Sequence, residues 1–328
     1  MSEAGPPLQE ALPAMLRPYR AADWLTQGYV ALVALLILFF HDGRVDHWPL
    51  RLAGHVALIL AVHALICLHE RWGGRVLDFL RSGYPVMLYT FLYMQTHPLM
   101  HMFVPGHLDG YAISMDQTLF GCQPSRALMQ WLPYRWVSEP LYFAYFCYYL
   151  MVAGVALGLY FWDRRRYARY VTVVSFVFYV CYLIFIVLPV LGPYDPVVYS
   201  AQTGPEALVG PERVPPAVSA GPFYRIMAAV YAQAEPRGGG GFPSSHIAVA
   251  IATLCFTWTW LRRLRCAHLV LVVLLTVATV YGGYHYVVDA IAGVAAAALL
   301  IPIGGWLYER MQDLGTPVTA APLIERNT

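Results

Sequence analysis

Long apolar runs recur along this chain at roughly 24–40, 50–69, 83–104, 138–162, 170–191, 246–261, 267–285 and 286–308. A helix needs about 20 apolar residues to cross a bilayer, so the short first and sixth runs must borrow from their flanks. The seventh and eighth meet near Tyr284, where the boundary can move by several residues. The pattern predicts an all-α integral membrane protein, a polytopic bundle of about eight transmembrane helices, with six or seven as the other counts it permits.

Two of the polar breaks are long. The first, 105–136, carries Asp109, Asp116 and the aromatics Trp131, Tyr134 and Trp136, and reads as an amphipathic, re-entrant or interfacial loop. The second, from Gly192 to Gly241, is rich in Pro and Gly; a loop of that length in a compact protein is usually functional, as a lid or a substrate-selecting element.

Composition agrees with the pattern, since 59% of the 328 residues are hydrophobic and 12% are charged. A net charge of +2, with no basic cluster interleaved with stacking aromatics, gives no reason to expect nucleic acid as a partner. The six cysteines show no CxxC spacing and fall mostly in apolar runs, where a thiol behaves as a small hydrophobe. No disulfide is expected. The first sixteen residues lack a basic n-region and a cleavage site, and read as a disordered tail rather than a signal peptide.

Every basic residue is an arginine, and the arginines orient the spans. Arg17, Arg20, Arg71, Arg75, Arg81, Arg164, Arg165, Arg166, Arg169, Arg262, Arg263, Arg265 and Arg310 all fall on one side if eight spans alternate. By the positive-inside rule that side is cytoplasmic, both termini lie there, and both long loops lie outside.

Candidate chemistry gathers at the outer face. Arg237 precedes Gly238, Gly239, Gly240 and Gly241, then Phe242-Pro243-Ser244-Ser245-His246. Consecutive glycines let backbone N–H groups curl around an anion such as phosphate. Ser244 and Ser245 add hydroxyls and suit a helix N-terminus, whose dipole favours negative charge. About forty residues on comes His285-Tyr286-Val287-Val288-Asp289. On a helix the Asp289 carboxylate can accept a hydrogen bond from the His285 ring at i, i+4, fixing its tautomer and leaving the other nitrogen as a nucleophile. The plainer reading of His285 and Asp289 is a polar pair fastening two helices, and of His246 an interfacial cap. The anion cradle beside both histidines favours catalysis, because ionisable groups in membrane segments are costly and usually functional.

The PSSH string followed by HYVVD resembles the type-2 phosphatidic acid phosphatase (PAP2) superfamily, nearest its inositol phosphorylceramide synthase-like branch and the bacterial relatives of that branch. Asp116 to Pro124 and Leu188-Pro189-Val190-Leu191-Gly192-Pro193 are similar to stretches of those relatives, so the likeness covers roughly 109–300. It implies a six-helix catalytic core in which His285 attacks phosphorus and forms a phosphohistidine, His246 protonates the leaving group, and Asp289 supports the nucleophile. Three departures stand out. The chain has no lysine, so the family's Lys-bearing first motif is missing. Ala278-Thr279 replaces the usual Ser-Arg, and Ser245 replaces the usual glycine. Such changes favour a transferase over a plain phosphatase.

The division expected is 1–22 as a cytoplasmic tail, 23–104 as N-terminal transmembrane helices, 105–310 as the catalytic membrane domain and 311–328 as a second tail. The activity expected is lipid phosphotransfer between lipid substrates, without metal or other cofactor, in a bacterial inner membrane with the site facing the periplasm. The alternatives are a phosphatase acting on phosphatidate, a lipid diphosphate or undecaprenyl diphosphate, and, in another class, a proton-coupled transporter using His246, His285 and Asp289. Some cation must neutralise the transferring phosphoryl group. Arg237 is nearest to the glycines, with Arg126, Arg135, Arg213 and Arg225 in reserve. Asp109 and Asp116 are candidates for holding a polyol headgroup, or equally for capping helices. His97, His101 and His107 have the spacing of a possible metal site but no supporting ligand pattern, and read as an interfacial polar rim or headgroup contact.

Overall fold

The computed structural model describes residues 16–193, 195, 198, 214–233 and 240–312. It is 80% helix, and no strand occurs among the described residues. In chain order the helices are α1 (Ala21–Phe40), α2 (Trp48–Trp72), α3 (Arg75–Thr96), α4 (Asp109–Phe120), α5 (Pro124–Trp131), α6 (Arg135–Trp162), α7 (Arg164–Val187), α8 (Pro216–Ser219), α9 (Pro222–Gln233), α10 (Ser245–Trp260), α11 (Arg265–Tyr281) and α12 (Val287–Gln312).

Each of the eight apolar runs has become a helix, and the protein is a polytopic helical membrane protein. Five helices, α1, α2, α6, α7 and α12, are long and apolar enough to cross a membrane unaided. The apolar helices α10 and α11 are shorter, at 16 and 17 residues. Large side chains such as Leu35, Phe39, Leu60, Leu150 and Leu299 stand exposed on these helices, as lipid-facing residues do. The six cysteines are unpaired.

The third run is displaced from its expected place at 83–104. Helix α3 begins at Arg75 and stops at Thr96, taking in Arg75, Asp78 and Arg81. Hydropathy excludes such residues from a span, but here Asp78 pairs with Arg164 and Arg81 with Asp23. Paired charge is what allows a helix to continue through a polar stretch. The segment 192–241, expected as one long loop, contains α9. Its first residue is Pro222, preset for a helix start, and Glu139 accepts from the N–H groups of Phe223 at 3.0 Å and Tyr224 at 3.3 Å.

The chain forms two compact units. One takes residues up to 91, 154–179 and those from 299 on. In it α1 packs on α2, and Tyr19, Val62, Ile66 and Tyr84 form a buried cluster. The other takes 92–153 and 180–298. In it α11 packs on α10 and α5, and the Tyr281 hydroxyl donates to the Leu132 carbonyl at 2.8 Å. All of the described candidate catalytic residues belong to this second unit.

Candidate active site

Helix α10 starts where its sequence says it should. Ser244 is the N-cap, its hydroxyl oxygen accepting from the Ile247 N–H at 3.4 Å, and this places His246 on the first turn. The Ser244 N–H donates in turn to the Asp289 main-chain carbonyl at 3.0 Å, tying the two motifs together. The helices approach closely there: a Cβ on Gly293 would lie 2.7 Å from the Ser244 carbonyl oxygen. Only a glycine fits that contact.

His285 does not share a helix with Asp289. Helix α11 ends at Tyr281, Gly282-Gly283 turn the chain, and the N–H groups of Tyr284 and His285 both donate to the Thr279 carbonyl at 3.0 Å. Asp289, in the first turn of α12, reaches back to the turn instead. Its Oδ2 lies 3.4 Å from His285 Nδ1 and accepts the Tyr286 N–H at 3.0 Å. His285 Nδ1 and Asp289 Oδ1 have no hydrogen-bond partner among the described residues. The pair is therefore at ion-pair distance without a formed hydrogen bond. A charge appearing on the imidazole is what would close it.

The rings of His246 and His285 meet edge to face, with centroids 5.8 Å apart at 64°. Tyrosines surround His246. The Tyr145 hydroxyl is 3.4 Å from His246 Nε2 and makes a short hydrogen bond with the Tyr231 hydroxyl. Tyr284 stacks on both Tyr145 and Tyr231, at 4.7 and 4.4 Å, and Tyr148 lies 4.7 Å from the His246 ring. The i, i+3 spacing of Tyr145 and Tyr148 puts both on one face of α6, a spacing that Tyr142 and Tyr145 share, so nothing in the sequence alone marks these two as neighbours of His246.

The glycine cradle is built differently from the expectation. Arg237 and Gly239 lie outside the described residues. The Gly241 N–H, expected to face an anion, is donated to the Val190 carbonyl. A Cβ on Gly240 would lie 2.9 Å from the Phe185 side chain, and one on Gly241 3.4 Å from Asp289 Oδ2. These two glycines thus serve close packing of the chain against α7 and the carboxylate. Ser245 is buried, and the Ser244 hydroxyl keeps its own hydrogen to donate. Of the reserve cations, Arg126 on α5 is partly buried, while Arg135 and Arg225 are exposed, Arg225 donating to the Ser219 carbonyl at 3.3 Å. Arg213 lies outside the described residues.

Asp109 and Asp116 are not free to hold a headgroup. Asp116 accepts from the Val287 and Val288 N–H groups at 2.9 and 3.0 Å, the unpaired donors at the start of α12. Asp109 accepts from the Leu191 and Gly192 N–H groups at 3.0 and 2.9 Å and from the Tyr286 hydroxyl at 3.0 Å. Of their two expected roles the structure supports the structural one, because both carboxylates are buried and already bonded. Burial raises both carboxyl groups above the usual carboxylate range, and the backbone N–H bonds offset only part of that rise.

His101 and His107 meet edge to face with centroids 4.9 Å apart. Among the described residues, no group of three or more His, Cys, Asp or Glu side chains is placed to hold a metal ion.

The family model described as the PAP2 superfamily matches residues 112–303, more than half of the chain, and the match includes His246, His285 and Asp289. No curated protein and no solved structure matches.

Proposed function

The chain belongs to the PAP2 superfamily, whose activity is of the phosphatase and phosphotransferase type, and from that premise we propose that it is a lipid phosphotransferase working through a phosphohistidine on His285. The observation that carries this reading is the closeness of His246 and His285, ring centroids 5.8 Å apart, with the Asp289 carboxylate against His285 Nδ1.

In the proposed mechanism a lipid phosphate ester sits between the two rings. With Nδ1 turned to Asp289, His285 Nε2 attacks phosphorus in line. An N–P bond forms, the P–O bond to the leaving group breaks, and His246 gives that oxygen a proton. An acceptor hydroxyl then attacks the phosphohistidine and yields its proton to His246 as the N–P bond breaks. Asp289 stabilises the imidazole while it carries positive charge, and Tyr145 holds the His246 ring through Nε2. Arg237 is the proposed cation for the phosphoryl oxygens, with Arg126, Arg135, Arg213 and Arg225 as substitutes.

Transfer to a lipid hydroxyl, in the manner of inositol phosphorylceramide synthases, is preferred to hydrolysis because the motifs depart from the plain phosphatase pattern at Ser245 and Ala278-Thr279 and through the missing lysine. The arginine distribution supports a site on the periplasmic face of a bacterial inner membrane. Headgroup-labelled lipid incubated with purified protein tests the reading. A new labelled lipid is the expected product. Free phosphate would make the protein a phosphatase, and absence of turnover would leave the transporter.

A further inference from the structure

The other compact unit holds a cavity of about 350 Å³ where the start of α1, the start of α7 and the end of α12 meet α3. Arg20, Arg81, Arg164 and Arg165 line it, and neither His246, His285 nor Asp289 does. The Arg81 side chain is fully buried. Its Nη2 donates to Asp23 Oδ2 at 2.8 Å and to the Pro18 carbonyl at 2.6 Å. Its Nη1 is 3.8 Å from Glu70 Oε1, an ion-pair distance only, and both Nε and Nη1 lack a hydrogen-bond partner among the described residues. Arg164 repeats the arrangement. Its Nη2 donates to Asp78 and, at 3.2 Å, to the Ser82 hydroxyl, while its buried Nη1 is without a hydrogen-bond partner among the described residues. Arg20 Nη1 donates to the same Ser82 oxygen at 3.2 Å, and its Nη2 lies 3.8 Å from Asp78 Oδ1.

Three guanidinium groups thus face Asp23, Asp78 and Glu70, the fourth, on Arg165, makes no ion pair among the described residues, and charged donors are left over inside the protein. Burying such donors without an acceptor is unfavourable. An oxyanion with several acceptor oxygens satisfies them, and phosphate is the group that arginine forks match best. Pro85, Val171 and Met311 supply apolar wall beside the cations, which suits the glycerol and first methylenes of an amphiphile.

We propose that this cavity is a binding site for a phosphate-bearing anion, held by the guanidinium groups of Arg164 and Arg165 with Arg20 and Arg81 beside them. The phosphate can come from an anionic phospholipid headgroup or from free phosphate, and the two probes below separate these sources. Purified full-length protein in neutral detergent, carrying His285→Ala to stop turnover, is titrated calorimetrically with inorganic phosphate and, separately, with a short-chain phosphatidylglycerol. Saturable binding is expected, and Arg164→Gln and Arg165→Gln should each weaken it about tenfold, the worth of one charge-assisted hydrogen bond. Binding of both probes means that the phosphate group alone is recognised; binding of phosphatidylglycerol alone means a membrane headgroup. Arg81→Gln removes the partner of buried Asp23 and risks the fold, so the exposed Arg165 provides the variant that stays folded, checked by a thermal scan. The proposal is overturned if neither probe saturates, or if binding is indifferent to Arg164→Gln and Arg165→Gln.

Discussion

Asp289 Oδ2 meets His285 while already accepting the Tyr286 N–H, so one atom both builds the turn and faces the nucleophile. Asp289→Asn keeps an oxygen for Tyr286 but removes the charge that steadies the imidazole. A large fall in kcat with little change in KM is expected from steady-state kinetics, because the interaction matters mainly in the transition state. A change confined to KM would make Asp289 a binding residue. His246→Ala should cost about 10²–10⁴-fold in turnover, the usual worth of a general acid, and His285→Ala more. Near-normal turnover in either variant would end the mechanism. Tyr145→Phe removes the hydroxyl 3.4 Å from His246 Nε2. It should lower kcat by up to about tenfold, the worth of one hydrogen bond, and displace the pH profile of kcat, which a purely packing tyrosine would leave in place.

Helix α12 owes its starting position to carboxylates from two elements. Asp116 on α4 holds the Val287 and Val288 N–H groups, Asp109 holds the Tyr286 hydroxyl, and Asp289 holds the Tyr286 N–H. Asp116→Ala strands two buried donors and should destabilise the protein by about 1–3 kcal/mol, seen as a lower Tm in detergent, together with a fall in kcat as the His285 turn loosens. Asp116→Asn, which retains one acceptor oxygen, should recover part of both. Full activity in Asp116→Ala would show that the turn stands without it. The boundary between α11 and α12 was placed only to within several residues, and the turn that takes His285 off the helix of Asp289 went unread. The start of α10, by contrast, was legible because its signal is local, a serine N-cap in front of an apolar run. The start of α3 was not, since Arg81 and Asp78 are tolerated only through partners distant in sequence, on α1 and α7. Nor was the work of Asp109 and Asp116, which depends on which helix start lies opposite. The four glycines suggested an anion cradle, but a run of glycines cannot distinguish donors aimed at a ligand from chain packed against Phe185 and Val190.

At the scale of the whole molecule, the five long apolar helices make a membrane protein, and the arginine distribution supplies the proposed orientation. Single cysteines in a cysteine-free background test it. Probes replacing Thr203 and Gly239 should react with an impermeant reagent from outside intact cells, and one replacing Arg165 should not. The reverse pattern would turn the site towards the cytoplasm. The central claim, that phosphorus passes through a bond to His285, is tested most directly by trapping that bond. Protein turning over a radiophosphorus-labelled lipid is quenched in alkali and digested, and its peptides are mapped. The expected result is an acid-labile, alkali-stable label on the peptide carrying His285, absent from His285→Ala. Turnover with no labelled peptide, or label that persists in His285→Ala, would contradict it.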